Sequence, residues 1–501
     1  MKIRKDDSIE KNHLLHGSRA LILAGCSNSG GNHNQANNLN IELPLKTNTL
    51  APYDTDVPVS IGAAETLFKT SSDGKIKPYL VKSYEQPSDD TLKLTLKNNI
   101  KFQNGHKLTG QAVKDSLEKG LKESDLLKAT LPIQSIQSSG QEVTIKTKGA
   151  FPELVSELAS PFTAIYDTKA KSDMKKTPVG TGPYAIKDFK RSQKIDLSQN
   201  KDYWQGKPKL EHLAVTFNEG GSSRTDHVLS GKTDITTNVP VDKIKSVKSS
   251  KNAELKATSG FRTSLLLYNH TSPKMTKEVR EALDNVINRE QITSKIADNY
   301  AKPATGPFNT KLDFIQDKKV HKQNLKEAKS LMEKAGYSKK HPLTINVSSY
   351  SGRPELTKIA QVIQSDAKKA NINIKIQNVD DIEGFLKNKK DWEASMYSFG
   401  TIPRGDTGYF FNMAYKKDGA VNKGDYHNKK VDQLINELNH TVDKNKRHAL
   451  TNEILEVSKK DIPNSYITYN DQIDTINKDV KNFKVTPEGI YLIDYKVDKE
   501  K

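Results

Sequence analysis

From residue 337 to residue 400 the chain alternates strand and helix patterns in the order β-α-β-α-β. "PLTINVSSY" and "INIKIQNV" read as strands, and "WEASMYSFG" as a buried one. "LTKIAQVIQSDAKKAN" and "DDIEGFLKNK" between them repeat apolar residues at helical spacing. Strands joined by helical crossovers must lie parallel in one sheet, with the helices packed on its faces. The rest of the chain is also mixed α/β. "LNIELPL" (39–45) reads as a strand, "GAAETLFKT" (62–70) as a short helix and "TLKLTLKNNIKF" (91–102) as a hairpin arm. Thr109 is placed to cap a helix, and "TSLLLYNH" (263–270) is a buried-type strand. "TKEVREALDNVINREQITSKI", starting at Thr276, reads as one long amphipathic helix, and "NSYITY" and "NFKVTPEGIYLIDY" as closing strands.

With 501 residues, the chain exceeds what a single core supports, so two or three lobes are expected. No linker-like stretch follows residue 45. The lobes are therefore expected to be discontinuous, with strands crossing between them. No apolar run approaches the ~18 residues of a membrane-spanning helix. The net charge of +18 raises the question of nucleic acid, but the lysines are scattered among acids, as in "KNKKDWE". Dispersed charge is a solvated surface, not a phosphate-tracking stripe, so no nucleic-acid partner is expected.

The one cysteine, Cys26, excludes an intramolecular disulfide and a thiolate metal cluster. It stands at the end of Leu23-Ala24-Gly25-Cys26, which resembles a bacterial lipobox, and "SNSGGNHNQANN" follows as a polar tether. Residues 1–25 are read as an atypical signal peptide, with His16 and Arg19 interrupting its apolar part, and residues 26–38 as a tether lipidated at Cys26. The expected location is the outer face of the cell membrane.

The twelve histidines form no H-x-H, H-x-x-x-H or H-E-x-x-H pattern. His427, in a loop, is the single candidate metal ligand. "GTGPY" (180–184) mimics a phosphate loop, but Pro183 follows the second glycine and no helix opens there, so a tight turn is expected. No nucleophile motif is present, and no enzyme is expected. Two loops look built for recognition, because both leave the carboxyl ends of strands, where open α/β sheets bind ligands. "SSYSGRPELTK" (348–358) carries Arg353. "SFGTIPRGDTGYFF" (398–411) carries Arg404, Asp406, Tyr409 and Phe410. The arginines suit carboxylates, Asp406 suits an ammonium, and the aromatics suit pocket walls.

From about residue 39 onward the chain resembles the extracytoplasmic solute-binding proteins of peptide and nickel ABC importers. The resemblance rests on "NIKFQNGHKLTGQAVKDSLEKGL", "PVGTGPYAIKDF", "NKDYWQGKPKL", "VREALDNVINREQI", "AKPATGPF" and "NLKEAKSLMEKAGY", in that order. It implies a two-lobed α/β fold closing about a hinge. Lobe I would span residues 39–260, with an extra subdomain at about 61–170, and lobe II residues 261–475, with 476–501 returning to lobe I. It also implies an ABC permease and its ATPase as partners, a monomeric binding protein and no resident cofactor. In the dipeptide branch an arginine takes the peptide carboxylate and an aspartate its amino group, which fall on Arg353 and Asp406. Tyr53, Val57, Arg262 and Asn269 are further ligand-facing positions by the same resemblance. Arg404 adds positive charge, which favours the nickel branch and a nickel chelate such as Ni with free histidine. A short peptide is the alternative.

Overall fold

The structure is a computed structural model that describes residues 37–71, 73–350 and 353–500. The signal-like segment, Cys26 and all but the last residues of the tether lie outside the described residues. Among the described residues no helix is long and apolar enough to cross a membrane.

One eleven-stranded sheet runs through the protein. At one end, Leu343–Tyr350 pairs in parallel with Ile372–Val379 and with Ala394–Gly400, as the β-α-β-α-β pattern requires. The helix Pro354–Lys369 makes the first crossover and buries Leu356, Ile359, Ala360 and Ile363 against the sheet. At the other end, Asn38–Leu43 pairs in parallel with His212–Phe217, and the hairpin Lys194–Gln199 and Tyr184–Lys190 completes the edge. Two long antiparallel strands join the ends. Ala253–Tyr268 and Asn464–Asn477 run side by side through the middle, each contributing to both lobes. Their register shifts between Ser259 and Arg262, so Gly260 and Phe261 form a bulge at the centre of the crossing. A Cβ on Gly260 would lie 2.5 Å from the Asn470 carbonyl, which is why this position takes glycine.

A separate four-stranded sheet, ordered Val81–Ser88, Thr91–Leu96, Glu142–Thr147 and Ile133–Ser139, packs with the helix Gly110–Glu123. Thr109 caps that helix, accepting from the Ala112 amide at 3.2 Å.

Three elements differ from their sequence reading. "GAAETLFKT" is not a helix. Gly62 takes a φ of +74° in a turn, and Phe68–Thr70 then pairs as a strand with Ile76–Pro78. The backbone of residues 62–64 lies against the "GTGPY" loop so closely that a Cβ on Gly180 or Gly182 would come within 2.3 Å of a carbonyl oxygen. Those glycines serve close backbone approach to residues 62–64, not the tight turn expected from the sequence. The long helix after Thr276 ends at Val286, and Asn288 caps a new turn by accepting from the Gln291 amide. "NFKVTPEGIYLIDY" (482–495) contains no strand, and only the short pair Val480–Lys481 and Asp498–Lys499 flanks it. Its apolar side chains Phe483, Leu492 and Ile493 fill the lobe I core from loops.

Candidate ligand site between the lobes

The central bulge places Arg262 at the first paired position after it, opposite Gly400. Arg262 Nη1 donates to the Ser398 carbonyl at 3.1 Å. Burial, with the nearby Arg353 adding to it, holds the Arg262 guanidinium down to about 10. Arg353 stands at the start of the helix Pro354–Lys369, 3.5 Å from Glu355. Tyr350 ends the preceding strand. Burial raises its hydroxyl above the ordinary range, against the pull of Arg353 and Arg262. Tyr397, on the neighbouring strand, donates to Glu383, and burial likewise holds its hydroxyl protonated.

The loop after Gly400 supplies the remaining wall. Tyr409 lies parallel to Phe399 with ring centroids 5.9 Å apart, and the Arg404 guanidinium sits 5.1 Å from the Tyr409 ring. The field of Arg262 also reaches Tyr409. Arg262, Arg353, Arg404 and Tyr409 are thus brought together, joined by Tyr350, Tyr397 and Phe399. The Arg262 and Arg353 guanidinium groups beside phenol rings make a surface for planar anions, and carboxylates match the fork geometry of arginine.

Asp406 does not serve as a free carboxylate. Arg447 donates to both its oxygens, at 2.6 and 3.1 Å. The same guanidinium donates to Glu153 at 3.0 Å and to the Leu438 and Thr441 carbonyls, which engages its Nε and both terminal nitrogens. Arg447 and Glu153 are each only 8% exposed at the side chain. Burial, reinforced by Asp406 and opposed by Arg447, raises Glu153 to about 7. Arg404 pairs with Glu157, and Ser156 donates its hydroxyl to the Arg404 carbonyl at 2.5 Å. Glu153, Ser156 and Glu157 come from the first half of the chain and Arg404, Asp406 and Arg447 from the second. The two halves are therefore clasped together beside the arginine cluster.

The other sequence candidates fall elsewhere. Phe410 is core, packed edge-on against Phe308 and Tyr415. Asn269 uses its amide nitrogen on the Lys389 and Trp392 carbonyls, which shapes a turn. Tyr53 packs on Tyr166 in the core of the extra subdomain, and Val57 opens the short buried helix Val57–Ser60 in lobe I. His427 pairs with Asp432 at 3.0 Å on an exposed loop. Among the described residues, no three His, Cys, Asp or Glu side chains are grouped to hold a metal ion.

Tyr350 and Tyr397 were passed over in the sequence, although both lie in the strands that lead into the recognition loops. Glu153, Glu157 and Arg447 gave no signal at all. Within "FPELVSELAS" and "NKRHALTNE" they look like ordinary solvated helix charges, and only their burial distinguishes them.

The geometry agrees with relationships to known proteins. Residues 75–422 match the family described as "Bacterial extracellular solute-binding proteins, family 5 Middle". The nickel-binding protein NikA of Staphylococcus aureus is 62% identical over 484 residues, covering 97% of this chain and 98% of that protein. A crystal structure of the S. aureus NikA in complex with Ni(L-His)2 superposes with a TM-score of 0.80 at 63% identity, covering 93% of this chain and all of that one. A nickel ABC transporter structure from Bacillus halodurans superposes with a TM-score of 0.82 at 32% identity, over 92% of this chain and all of that one. With the two-lobed α/β fold, the crossing strands and these matches, the chain belongs to family 5 of the bacterial extracellular solute-binding proteins.

Proposed function

We propose that this chain is the substrate-binding component of a nickel ABC importer, and that it captures nickel already chelated by histidine. The observation that carries this reading is the approach of Arg262 and Arg353 to one another beside Tyr350, Tyr397 and Tyr409, with Arg404 held by Glu157 at the edge of the site. Arginines recognise a chelate through the carboxylates of its organic ligands, so the metal can keep the donors it arrives with. The similarity to a NikA crystallised with Ni(L-His)2 supports the same ligand. A peptide is less well served. The acid that the resemblance assigns to a peptide's amino group, Asp406, is committed to Arg447.

The protein acts by binding and closure, without catalysis. Residues 39–260 with 476–501 make one lobe and 261–475 the other, and the Glu157–Arg404 and Glu153–Arg447 pairs hold them closed. The loaded monomer docks on a permease and its ATPase, and a lipid on Cys26 keeps it at the membrane. Calorimetric titration of the purified protein with Ni(II) alone, L-histidine alone and the two together tests the ligand. Heat of binding should appear with the mixture and be weak or absent with Ni(II) alone. Equal affinity for Ni(II) with and without histidine overturns the reading.

A further inference from the structure

The arginine cluster accounts for the carboxylates of an amino-acid chelate but not for its N–H groups. One buried acid is placed to take them. Thr486-Pro487-Glu488-Gly489 is a tight turn, closed by the Gly489 amide donating to the Thr486 carbonyl at 3.0 Å. Proline at its second position and a φ of +72° at Gly489 fix its shape, and the Thr486 hydroxyl donates to the Ile490 carbonyl.

The turn lies on the crossing strands. A Cβ on Gly260 would be 3.4 Å from the Pro487 carbonyl, and one on Gly489 would be 3.2 Å from the Gln472 side chain. Gly260 belongs to the bulge that positions Arg262, so Glu488 and Arg262 are presented from adjoining points of the same hinge. On its other side Glu488 faces Lys69, in the hairpin whose tip at Gly74 reaches Phe261 and Leu312 of lobe II. The ammonium of Lys69 sits 4.2 Å from the centroid of the Tyr491 ring.

Both carboxylate oxygens of Glu488 are buried without a well-formed hydrogen bond from another described residue, and only its own amide and the Lys69 ammonium lie favourably near it. Burial raises this carboxyl to about 8. A rigid turn that holds an unsatisfied buried acid against the central bulge has room for a donor from outside the chain.

We propose that Glu488 determines specificity at the interlobe site by accepting hydrogen bonds from the N–H groups of the nickel–histidine chelate, the coordinated amine or the imidazole ring. This rests on the function proposed above. The site is then two-signed, with arginines for carboxylates and Glu488 for nitrogen donors. Chelates built only from carboxylates and hydroxyls bring Glu488 no N–H group, so they gain nothing from this selectivity.

Glu488→Gln tests this by titration with Ni(II) plus L-histidine and with Ni(II) plus citrate, alongside thermal unfolding. In E488Q the affinity for the histidine chelate should fall ~10-fold or more. Affinity for the citrate chelate should hold or rise, and the unfolding temperature should be unchanged or higher because an unsatisfied buried acid is gone. Wild-type binding of nickel–histidine with unchanged affinity in E488Q, or an equal loss for both chelates, overturns this inference alone. A wild-type protein that does not bind nickel–histidine overturns the functional reading as well.

Discussion

Replacing Arg262 with methionine should separate ligand recognition from stability. The Arg262 guanidinium is held at about 10, against an ordinary 12.5, by burial and by Arg353. At about 1.4 kcal/mol per tenfold, that difference disfavours the unliganded cation by up to about 3 kcal/mol, and partial exposure reduces it to about 2. A carboxylate seated between Arg262 and Arg353 removes the penalty and adds charge-assisted hydrogen bonds. Methionine fills the volume of the side-chain stem without the charge. Arg262→Met should therefore raise unliganded stability by about 1–2 kcal/mol, less whatever the lost bond to the Ser398 carbonyl contributes. It should also weaken nickel–histidine binding by about 2–3 kcal/mol, or roughly 100-fold. Scanning calorimetry reads the first quantity and isothermal titration the second. Lower stability with intact affinity would refute the argument, since Arg262 would then be a strap for Ser398 and not a ligand group.

Two further perturbations probe the frame of the site. Asp474 is fully buried in the crossing strand, and burial raises its carboxyl from 3.8 to about 7. The folded chain thus holds a proton that the unfolded chain releases, so this group's stabilisation is complete below about pH 4 and is lost as pH rises through about 7. Asp474→Asn should remove that slope and gain about 2–4 kcal/mol over wild type at pH 8 but almost nothing at pH 4, as read by urea unfolding at the two pH values. Arg447→Met strands Glu153 and Asp406 without their shared cation and should cost about 3–5 kcal/mol in the same assay. Adding Glu153→Gln and Asp406→Asn should recover most of the loss.

The parallel half of the sheet was legible in the sequence because its period, helix spacing and strand lengths all pointed one way. The crossing strands were only partly visible. "TSLLLYNH" and "NSYITY" show as buried runs, but Ala253–Ser259 and Asn470–Asn477 are polar enough to pass for loop, since they pair along the less buried half of the ribbon. Arg353, Arg404 and Tyr409 stand out in the sequence by their place at strand ends, and the structure brings Arg404 against Tyr409. Asp406 was misassigned for an instructive reason. A loop aspartate reads as available until its partner is known, and that partner, Arg447, comes from a helix 41 residues away. Glu488 left no mark either, because "TPEG" spells a turn, and turn chemistry does not reveal whether the acid it carries faces water or a cleft.

The two crossing strands also dictate when the protein can fold. Ile235–Thr236, beside the first strand of lobe I, finds its other neighbour in Asn464–Asn477. Ala253–Tyr268 waits for that same partner along nearly its whole length. The lobe I core further requires Ile476, Phe483, Leu492, Ile493 and Val497. The long sheet is therefore incomplete until Asn464–Asn477 joins it, whereas the core running from Ala51 to Tyr166 closes on its own residues. Such long-range pairing makes for slow folding.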